Sequence, residues 1–210
     1  MGIKTIIDGS SEGVEINKEL NCENIQNKLS NDFIIRWGNW IDKNDTSTKI
    51  QFNSPHAIKN TIDKEGVLLI LRRNGVKCAR RIKPGKKTEF PVIGRKYYHK
   101  EGTDIKIIDS LEEYKKCDSE YFVEYLKIIE EYRVHVMDTD VFFIEEKYCE
   151  NRLQLDEMVI RTKVFGWEFS EIDLMNKNKV DIKTISNLAK KAVYSIGLDF
   201  GVVNIGKNSE

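Results

Sequence analysis

Four positively charged residues stand at or near the ends of apolar runs whose composition predicts β-strands. They are Arg95, Arg133, Lys147 and Arg161. Cations at neighbouring strand ends can converge on one cleft, where charge-assisted hydrogen bonds would hold a triphosphate or an acyl phosphate. If the strands do not converge, the same residues are ordinary charges at the rim of the protein. The sequence leaves both interpretations open.

The segment 90–104 is a second candidate for phosphate binding. Its apolar strand ends at Arg95, and His99 and Gly102 lie in the polar loop that follows. Loop amides and side-chain charges can converge on a polyphosphate. The alternative is a surface hairpin with solvated charges, and a single glycine in the loop does not decide between the two.

The next candidate segment could hold the base and the sugar of a nucleotide. Backbone groups at the strand end Glu124 to Leu126 can pair with the edge of an adenine, and a carboxylate such as Glu131 can accept hydrogen bonds from ribose hydroxyls. Because side chains alternate along a strand, Arg133 faces away from the apolar residues beside it in sequence. An arginine directed inward needs an anion, which is either a phosphate or a carboxylate in a structural salt bridge.

The elements that would position these residues follow from apolar periodicity and from helix signals. Residues 181–196 carry apolar side chains at i, i+3 and i+4 spacing, which predicts an amphipathic helix. Asn53 or Ser54 and Ser110 are candidate N-caps, and Gly75 is a candidate helix stop. The other predicted helices cover 17–30, 56–61, 63–73 and 111–117, and the predicted strands cover 3–7, 33–37, 90–96, 105–108, 121–126, 132–136, 141–147 and a short candidate at 158–161.

The order of these elements predicts the fold class. Strands and helices are mixed, and a turn at 138–140 joins two strands as an antiparallel hairpin. This favours an α+β fold with more than one sheet over a single parallel sheet. We expect two lobes, formed by residues 90–126 and 130–206, around a cleft. The loop 97–104 is expected to be mobile in the absence of ligand.

Composition argues against several classes of function. Lys plus Arg and Asp plus Glu both number 34, so no overall charge attracts nucleic acid or an acidic membrane surface. The chain has no apolar run of about 20 residues and no signal sequence. Its four dispersed cysteines and three histidines do not favour a zinc site. We expect a cytoplasmic protein with reduced thiols; nucleic-acid binding through the basic stretch 72–87 is the less favoured alternative.

The order of the segments resembles that of ATP-grasp proteins related to the ribosomal-protein glutamate ligases and their phage and bacterial relatives. The resemblance runs from Asn53 to Gly206 and implies an ATP-grasp-like α+β fold, with a nucleotide cleft between antiparallel sheets. It rests on the helix pair with Asp63-Lys64, the strand ending at Arg95 where the family usually has lysine, the loop 97–104, the strand 121–126, the run Glu131-Tyr132-Arg133-Val134-His135-Val136, Arg161 before Gly166-Trp167, and the run Gly197-Leu198-Asp199-Phe200-Gly201.

The resemblance also implies an activity, that of an ADP-forming carboxylate–amine ligase. In this family ATP phosphorylates a carboxylate, and an amine then attacks the acyl phosphate to give an amide or peptide bond. The implied cofactors are ATP and Mg²⁺, and the implied partners are a small-molecule or peptide carboxylate and an amine acceptor. By resemblance, the phosphates would be held by Lys64, Arg95 and Lys147 with His99 and Gly102 on the covering loop, the adenosine by Glu124, Leu126 and Glu131, and the acyl phosphate by Arg133 and Arg161.

The sequence departs from the family at its last strand. The family has a magnesium-binding aspartate where this chain has Asn204. A neutral amide is a poorer ligand for Mg²⁺ than a carboxylate. Because the Glu and Asn that complete the family's metal site do not follow, we expect the last metal-binding strands to be missing and the chain to be truncated, with little turnover. The alternative function is therefore a domain that binds nucleotide, or only a protein partner, without catalysis.

Three segments are expected along the chain. Residues 1–57 would form an N-terminal α/β segment, 58–120 a first ATP-grasp lobe that carries the glycine loop, and 121–210 a second lobe that is incomplete at its C-terminus. An open sheet edge in the second lobe would permit oligomerisation.

Overall fold

Three four-stranded sheets follow one another along the chain. They are seen in a computed structural model, which describes residues 3–7, 23–24, 33–38, 50–82, 88–97, 105–149, 161, 163, 166–172 and 182–208. The first sheet is parallel, whereas the other two are antiparallel. Several sheets with mixed helices confirm the predicted α+β class.

The N-terminal sheet has the strand order β2-β1-β3-β4. Its strands are β1 (Ile3–Ile7), β2 (Glu23–Asn24), β3 (Phe33–Trp37) and β4 (Ile50–Phe52). The prediction of a helix near 17–30 is wrong at residues 23–24, which pair with Lys4 and Thr5 of β1. Local composition favoured a helix there, but pairing with the edge of an apolar strand decided the structure. The rest of that range lies outside the described residues.

Two helices connect the first sheet to the second. They are α1 (Pro55–Ile62) and α2 (Lys64–Arg73), close to the predicted ranges. The Ser54 hydroxyl accepts a hydrogen bond from the Ala57 backbone N–H at 3.1 Å, and the Asp63 carboxylate caps α2 in the same way. Both caps satisfy backbone donors that a helix leaves unpaired at its start.

The middle sheet has the strand order β5-β8-β6-β7. Alternate residues of β6 and β8 pack into two apolar clusters, one built around Val92 and Phe122 and the other around Ile93 and Val123. The Ser110 hydroxyl caps α3, as predicted. The elements are β5 (Arg81–Ile82), β6 (Val92–Arg95), β7 (Lys106–Ile108), α3 (Leu111–Lys116) and β8 (Tyr121–Glu124).

The C-terminal sheet has the strand order β11-β10-β9-β12 and packs against one long helix. Residues Asp138 and Thr139 form the predicted hairpin turn, and Asp138 takes a φ of 53° there. The elements are β9 (Ile128–Met137), β10 (Asp140–Cys149), β11 (Trp167–Glu171), α4 (Ile182–Ile196) and β12 (Phe200–Asn208).

The two faces of the C-terminal sheet differ in chemistry. Tyr132, Val134 and Val136 of β9 are buried against the apolar side of α4, in a core that includes Ala189 and Ile205. The alternate residues of β9 point to the opposite face, and the three in the middle of the strand are polar: Glu131, Arg133 and His135. One face therefore builds the core, and the other is available for chemistry.

Two further sequence predictions lie largely or wholly outside the described residues. These are the mobile loop, of which only Tyr97 is described, and the short strand at 158–161, of which only Arg161 is described. None of the described helices is both long and apolar enough to cross a membrane.

Candidate nucleotide cleft

A cleft of about 770 Å³ lies between the middle sheet and the C-terminal sheet. Residues of β6 and β8 line one side, residues of β9, β10 and β11 line the other, and the connection 125–127 runs through it. Its volume falls in the range of small-molecule sites, about 300–1,000 Å³. Six of the predicted site residues line it, namely Arg95, Glu124, Leu126, Glu131, Lys147 and Arg161.

Arg95 and Lys64 form a positively charged corner beside the middle sheet. Arg95 ends β6 and lines the cleft, and Lys64 begins α2. Lys64 is exposed at its surface, yet partial desolvation by the surrounding protein and then the nearby Arg95 guanidinium lower the pKa of its ammonium group. Two cations that repel each other at close range are stabilised by an anion that binds between them.

Lys147 and Glu131 form an ion pair on the floor of the cleft. The Lys147 Nζ lies 3.0 Å from the Glu131 Oε1, and both side chains are largely buried. The hairpin register places them opposite each other. Glu145 pairs with Arg133, and Lys147 and Glu131 lie two residues further along the two strands. An ammonium group has three donors, so Lys147 keeps donors for a second anion.

Arg161 is held against the start of the C-terminal sheet. Its guanidinium group donates a hydrogen bond to the backbone carbonyl of Ile128 and lies over the Trp167 ring, 4.7 Å from the ring centroid. A guanidinium fixed on an aromatic ring keeps its other N–H groups available in the plane of the fork. Arg161 is thus pre-positioned at the end of the cleft where the two sheets are joined.

Arg133 lies one step further along the same sheet face, beyond the lining of the cleft. Its Nε donates to the Asn204 Oδ1 at 3.3 Å, and its guanidinium lies 3.7 Å from the Phe169 ring centroid. The ladder pairs Asn204 directly with Arg133. The same Phe169 ring lies 5.1 Å from the Lys147 Nζ, so the aromatic ring links Arg133 to the cleft.

The described residues do not fit a magnesium site at Asn204. The amide oxygen that would bind the ion already accepts a hydrogen bond from the Arg133 guanidinium, and a cation beside it repels a second cation. The described part of the chain also contains no group of three His, Cys, Asp or Glu side chains arranged to hold a metal. Asn204 is therefore placed as a partner of Arg133.

The side chain of Glu124 has a partner within the protein, whereas the predicted contact with adenine involves its backbone and stays a prediction. Its two carboxylate oxygens accept hydrogen bonds from the backbone N–H and the Nε of Arg80, at 2.7 and 2.5 Å. This side chain fixes the segment before β5, and the Glu124 backbone N–H also donates to the Arg80 carbonyl, at 2.8 Å. The next residues, Tyr125 and Leu126, line the cleft. His99 and Gly102 lie outside the described residues.

Sequence reasoning missed two features of the polar face. One is Trp167 with Phe169, aromatic rings that carry the cations; their alternation with polar residues in β11 was a usable signal. The other is the pair of His135 and Glu145, whose Nε2 and Oε2 atoms lie 3.0 Å apart. No signal in the sequence indicated that pair, because it depends on the register between β9 and β10.

The arrangement of two antiparallel sheets around this cleft is that of the ATP-grasp fold. Solved ATP-grasp structures match the whole chain, which confirms the ATP-grasp-like fold expected from the sequence. At their low sequence identities, this likeness establishes the fold. No protein-family model matches the sequence, and no curated protein matches it significantly.

Three of the similar structures illustrate the match. D-alanine–D-alanine ligase from Bacillus anthracis, complexed with ATP, is 14% identical with a TM-score of 0.63, over 100% of this chain and 82% of that one. The ATP-grasp ligase PsnB, complexed with a minimal precursor, is 13% identical with a TM-score of 0.63, over 100% and 87%. Carboxyaminoimidazole ribonucleotide synthase from Aspergillus clavatus, complexed with ATP, is 15% identical with a TM-score of 0.66, over 99% and 66%.

Proposed function

We propose that this protein binds ATP in the cleft and acts as an ADP-forming carboxylate–amine ligase. The observation that carries the proposal is the convergence of Arg95, Lys147 and Arg161 on one cleft between two antiparallel sheets. Similar folds are seen in ligases crystallised with ATP. A polyphosphate is an anion that can contact cations from several separate strands at once.

Each part of the nucleotide would contact a different group of residues in the cleft. The apolar side chains of Ala79, Ile93, Val123 and Leu126 would surround the base, next to the backbone of the connection between the sheets. Arg95 and Lys64 on one side and Lys147 on the other would bind the phosphates. This order runs from the connection toward Arg133, which would stabilise the acyl phosphate. Arg161, which the sequence assigned to the same role, lies at the connection end beside Ile128 and would contact the nucleotide instead.

The proposed reaction has two steps. A carboxylate oxygen attacks the γ-phosphorus of ATP, the bond to the β-phosphate oxygen breaks, and ADP leaves. The amine nitrogen then attacks the acyl carbon, the C–N bond forms, phosphate leaves, and the nitrogen loses a proton. The cations of the cleft lower the barrier of the first step by compensating charge that spreads over the phosphoryl oxygens.

The division of the chain belongs to the proposal. The N-terminal α/β segment would be 1–57, the first lobe 58–120 and the second lobe 121–210. Because β8 pairs with β6 in the middle sheet, a cleft between the two lobes would require the boundary at the connection 125–127, a few residues after the one predicted.

An assay of the partial reactions tests the proposal without knowledge of the natural substrates. The purified chain is incubated with ATP, a panel of amino acids and acidic dipeptides, and hydroxylamine as the amine. The proposal predicts ADP release that depends on the carboxylate, together with a hydroxamate product, whereas the expectation from the sequence is little turnover. Arms with MgCl₂ and with EDTA test the requirement for Mg²⁺ that the resemblance implies, since the described residues do not fit the ion at Asn204.

The variant that tests the site is Lys147→Met, which removes a cation from the floor of the cleft while keeping side-chain length. Hydroxamate formation should fall at least tenfold in this variant, since one charge-assisted contact to a phosphate is worth about 1.5–3 kcal/mol. ATP binding by calorimetry without any carboxylate-dependent ADP release would leave only the nucleotide-binding part of the proposal. Absence of ATP binding would refute both parts.

A further inference from the structure

The indole N–H of Trp167 is a buried donor without a partner. Trp167 is 7% exposed, and its Nε1 atom has neither solvent contact nor a hydrogen-bond acceptor among the described residues. Burying an N–H group without an acceptor costs free energy, so structures retain one where something outside the protein compensates. A phenylalanine would fill most of the same space without that cost.

Trp167 lies on the face of the sheet that forms the cleft. The ladder pairs it with Cys149, and the next pair on the same face is Phe169 with Lys147. Cys149, Lys147 and Trp167 all line the cleft. The side chain of Trp167 therefore belongs to the floor of the cleft, one pair closer to its end than the Lys147 ammonium group.

The position along the cleft limits which part of a ligand can reach this donor. Trp167 is the first residue of β11 and pairs with the last residue of β10, beside the start of β9. These strand ends adjoin the connection 125–127, whose backbone is the proposed site of the base. Lys147, the proposed phosphate contact, lies one pair further on. A donor between the base site and Lys147 would lie beside the ribose and the α-phosphate, which join a base to its β- and γ-phosphates.

We infer that the Trp167 Nε1–H donates a hydrogen bond to an oxygen of bound ATP, in the ribose or the α-phosphate. This inference rests on the proposed nucleotide site and adds a contact that positions the nucleotide. The N–H is shielded from solvent, so a group beside it must shift when the ligand binds.

Indole resonances give a direct test that needs no catalytic activity. The chain has three tryptophans, so protein labelled with ¹⁵N-tryptophan gives three indole N–H signals. The variant Trp167→Phe removes one signal and thereby assigns it. On titration with ATP, the Trp167 signal should move and its exchange with water should slow. The other two tryptophan signals serve as internal references and should move less.

Two further experiments identify the acceptor atom and measure how much the hydrogen bond contributes to ATP affinity. A shift already produced by adenosine places the acceptor in the ribose, whereas a shift that first occurs with AMP places it in the α-phosphate. Calorimetry should show ATP binding about tenfold weaker in Trp167→Phe, the loss of one hydrogen bond, with partial recovery in Trp167→His, which restores an N–H.

The outcomes separate this inference from the proposed function. If the wild-type protein binds ATP by calorimetry while the Trp167 signal stays in place at saturation, the hydrogen bond does not exist and the nucleotide site stands. Equal ATP affinity in wild type and Trp167→Phe would overturn the inference in the same way. If the wild-type protein does not bind ATP at all, both are wrong.

Discussion

At the scale of single residues, the cations proposed to bind phosphate have different kinds of partner within the protein. Lys147 has a carboxylate partner, but Arg161 has a carbonyl and a ring, and Lys64 has Arg95 as its charged neighbour. Four carboxylates (Glu124, Glu130, Glu131 and Glu146) line the cleft beside four cations (Arg95, Lys127, Lys147 and Arg161), so the lining as a whole is balanced. The proposal of an anionic ligand therefore rests on the positions of individual cations and not on the total charge of the cleft.

Arg95 should contribute directly to nucleotide affinity. Replacement by alanine removes a charge-assisted contact, and we expect ATP binding to weaken by about 1.5–3 kcal/mol in calorimetry. Lys183→Ala is the matched control, since it removes an exposed cation from α4 on the other face of the sheet. Equal ATP affinity in Arg95→Ala and in wild type would remove Arg95 from the site.

Lys64 should show a trade-off between stability and binding. Its lowered pKa means that the folded state disfavours the charged form, through desolvation first and Arg95 second. The penalty is complete below the folded-state pKa and vanishes above the ordinary value of 10.5. Lys64→Gln should therefore raise the free energy of unfolding slightly at pH 7 and weaken ATP binding, and the gain in stability should disappear as the pH rises through the lysine pKa.

Urea unfolding at pH 7 and pH 10.5, with ATP calorimetry at pH 7, measures both sides of this trade-off. A Lys64→Gln variant that is less stable than wild type without ligand would contradict the electrostatic argument. A variant with unchanged ATP affinity would show that the Lys64 charge does not reach the phosphates.

At the scale of elements, local signals in the sequence predicted the helices and strands, and long-range contacts decided what the sequence could not show. The apolar periodicity of 181–196 and the cap at Ser110 gave α4 and α3 within one residue, because both signals act within a few turns. The strand predicted at 132–136 extends back to Ile128, since pairing with β12 extends it through a polar stretch. Three of the four strand-end cations proved to share the cleft, whereas Arg133 lies beyond its lining.

Asn53 shows how far apart in sequence such decisive contacts can be. It is buried, has a φ of 60°, and joins the end of β4 to Asp199, which lies 146 residues away and directly before β12. Its side-chain oxygen accepts from the backbone N–H groups of Asp199 and Phe200, at 2.9 and 3.2 Å. Its amide nitrogen donates to the Phe200 carbonyl at 3.1 Å. This residue fixes the strand that carries Asn204 relative to the N-terminal sheet.

Substitution of Asn53 separates its hydrogen bonds from its backbone conformation. Asn53→Ala should lower the free energy of unfolding by about 3 kcal/mol, because buried backbone groups lose their partners and alanine is strained at positive φ. Asn53→Gly loses the same hydrogen bonds without that strain, and should be about 1 kcal/mol more stable than the alanine variant. Urea unfolding measures both. Wild-type stability in the two variants would show that β12 is held by other contacts.

At the scale of the whole molecule, the proposed ligand connects two sheets that have separate cores. The middle sheet is built around Val92 and Ile93, and the C-terminal sheet around Val134 and Ala189, with the cleft between them. Arg95 belongs to one sheet and Lys147 to the other. A nucleotide that contacts both would couple the unfolding of the two sheets.

Differential scanning calorimetry with and without ATP tests this coupling. At an ATP concentration of about 100 Kd, binding to the folded state adds about 2.7 kcal/mol, which corresponds to about 5–11 °C in Tm for a chain of this length. The complete site exists only when both sheets are folded, so unfolding of either sheet requires release of the ligand. We expect ATP to move a single unfolding transition of the wild-type protein to higher temperature. The ATP-induced shift in Tm should be smaller in Arg95→Ala and the same as in wild type in Lys183→Ala. Two transitions of which ATP moves one would place the nucleotide on a single sheet and contradict a site shared between them.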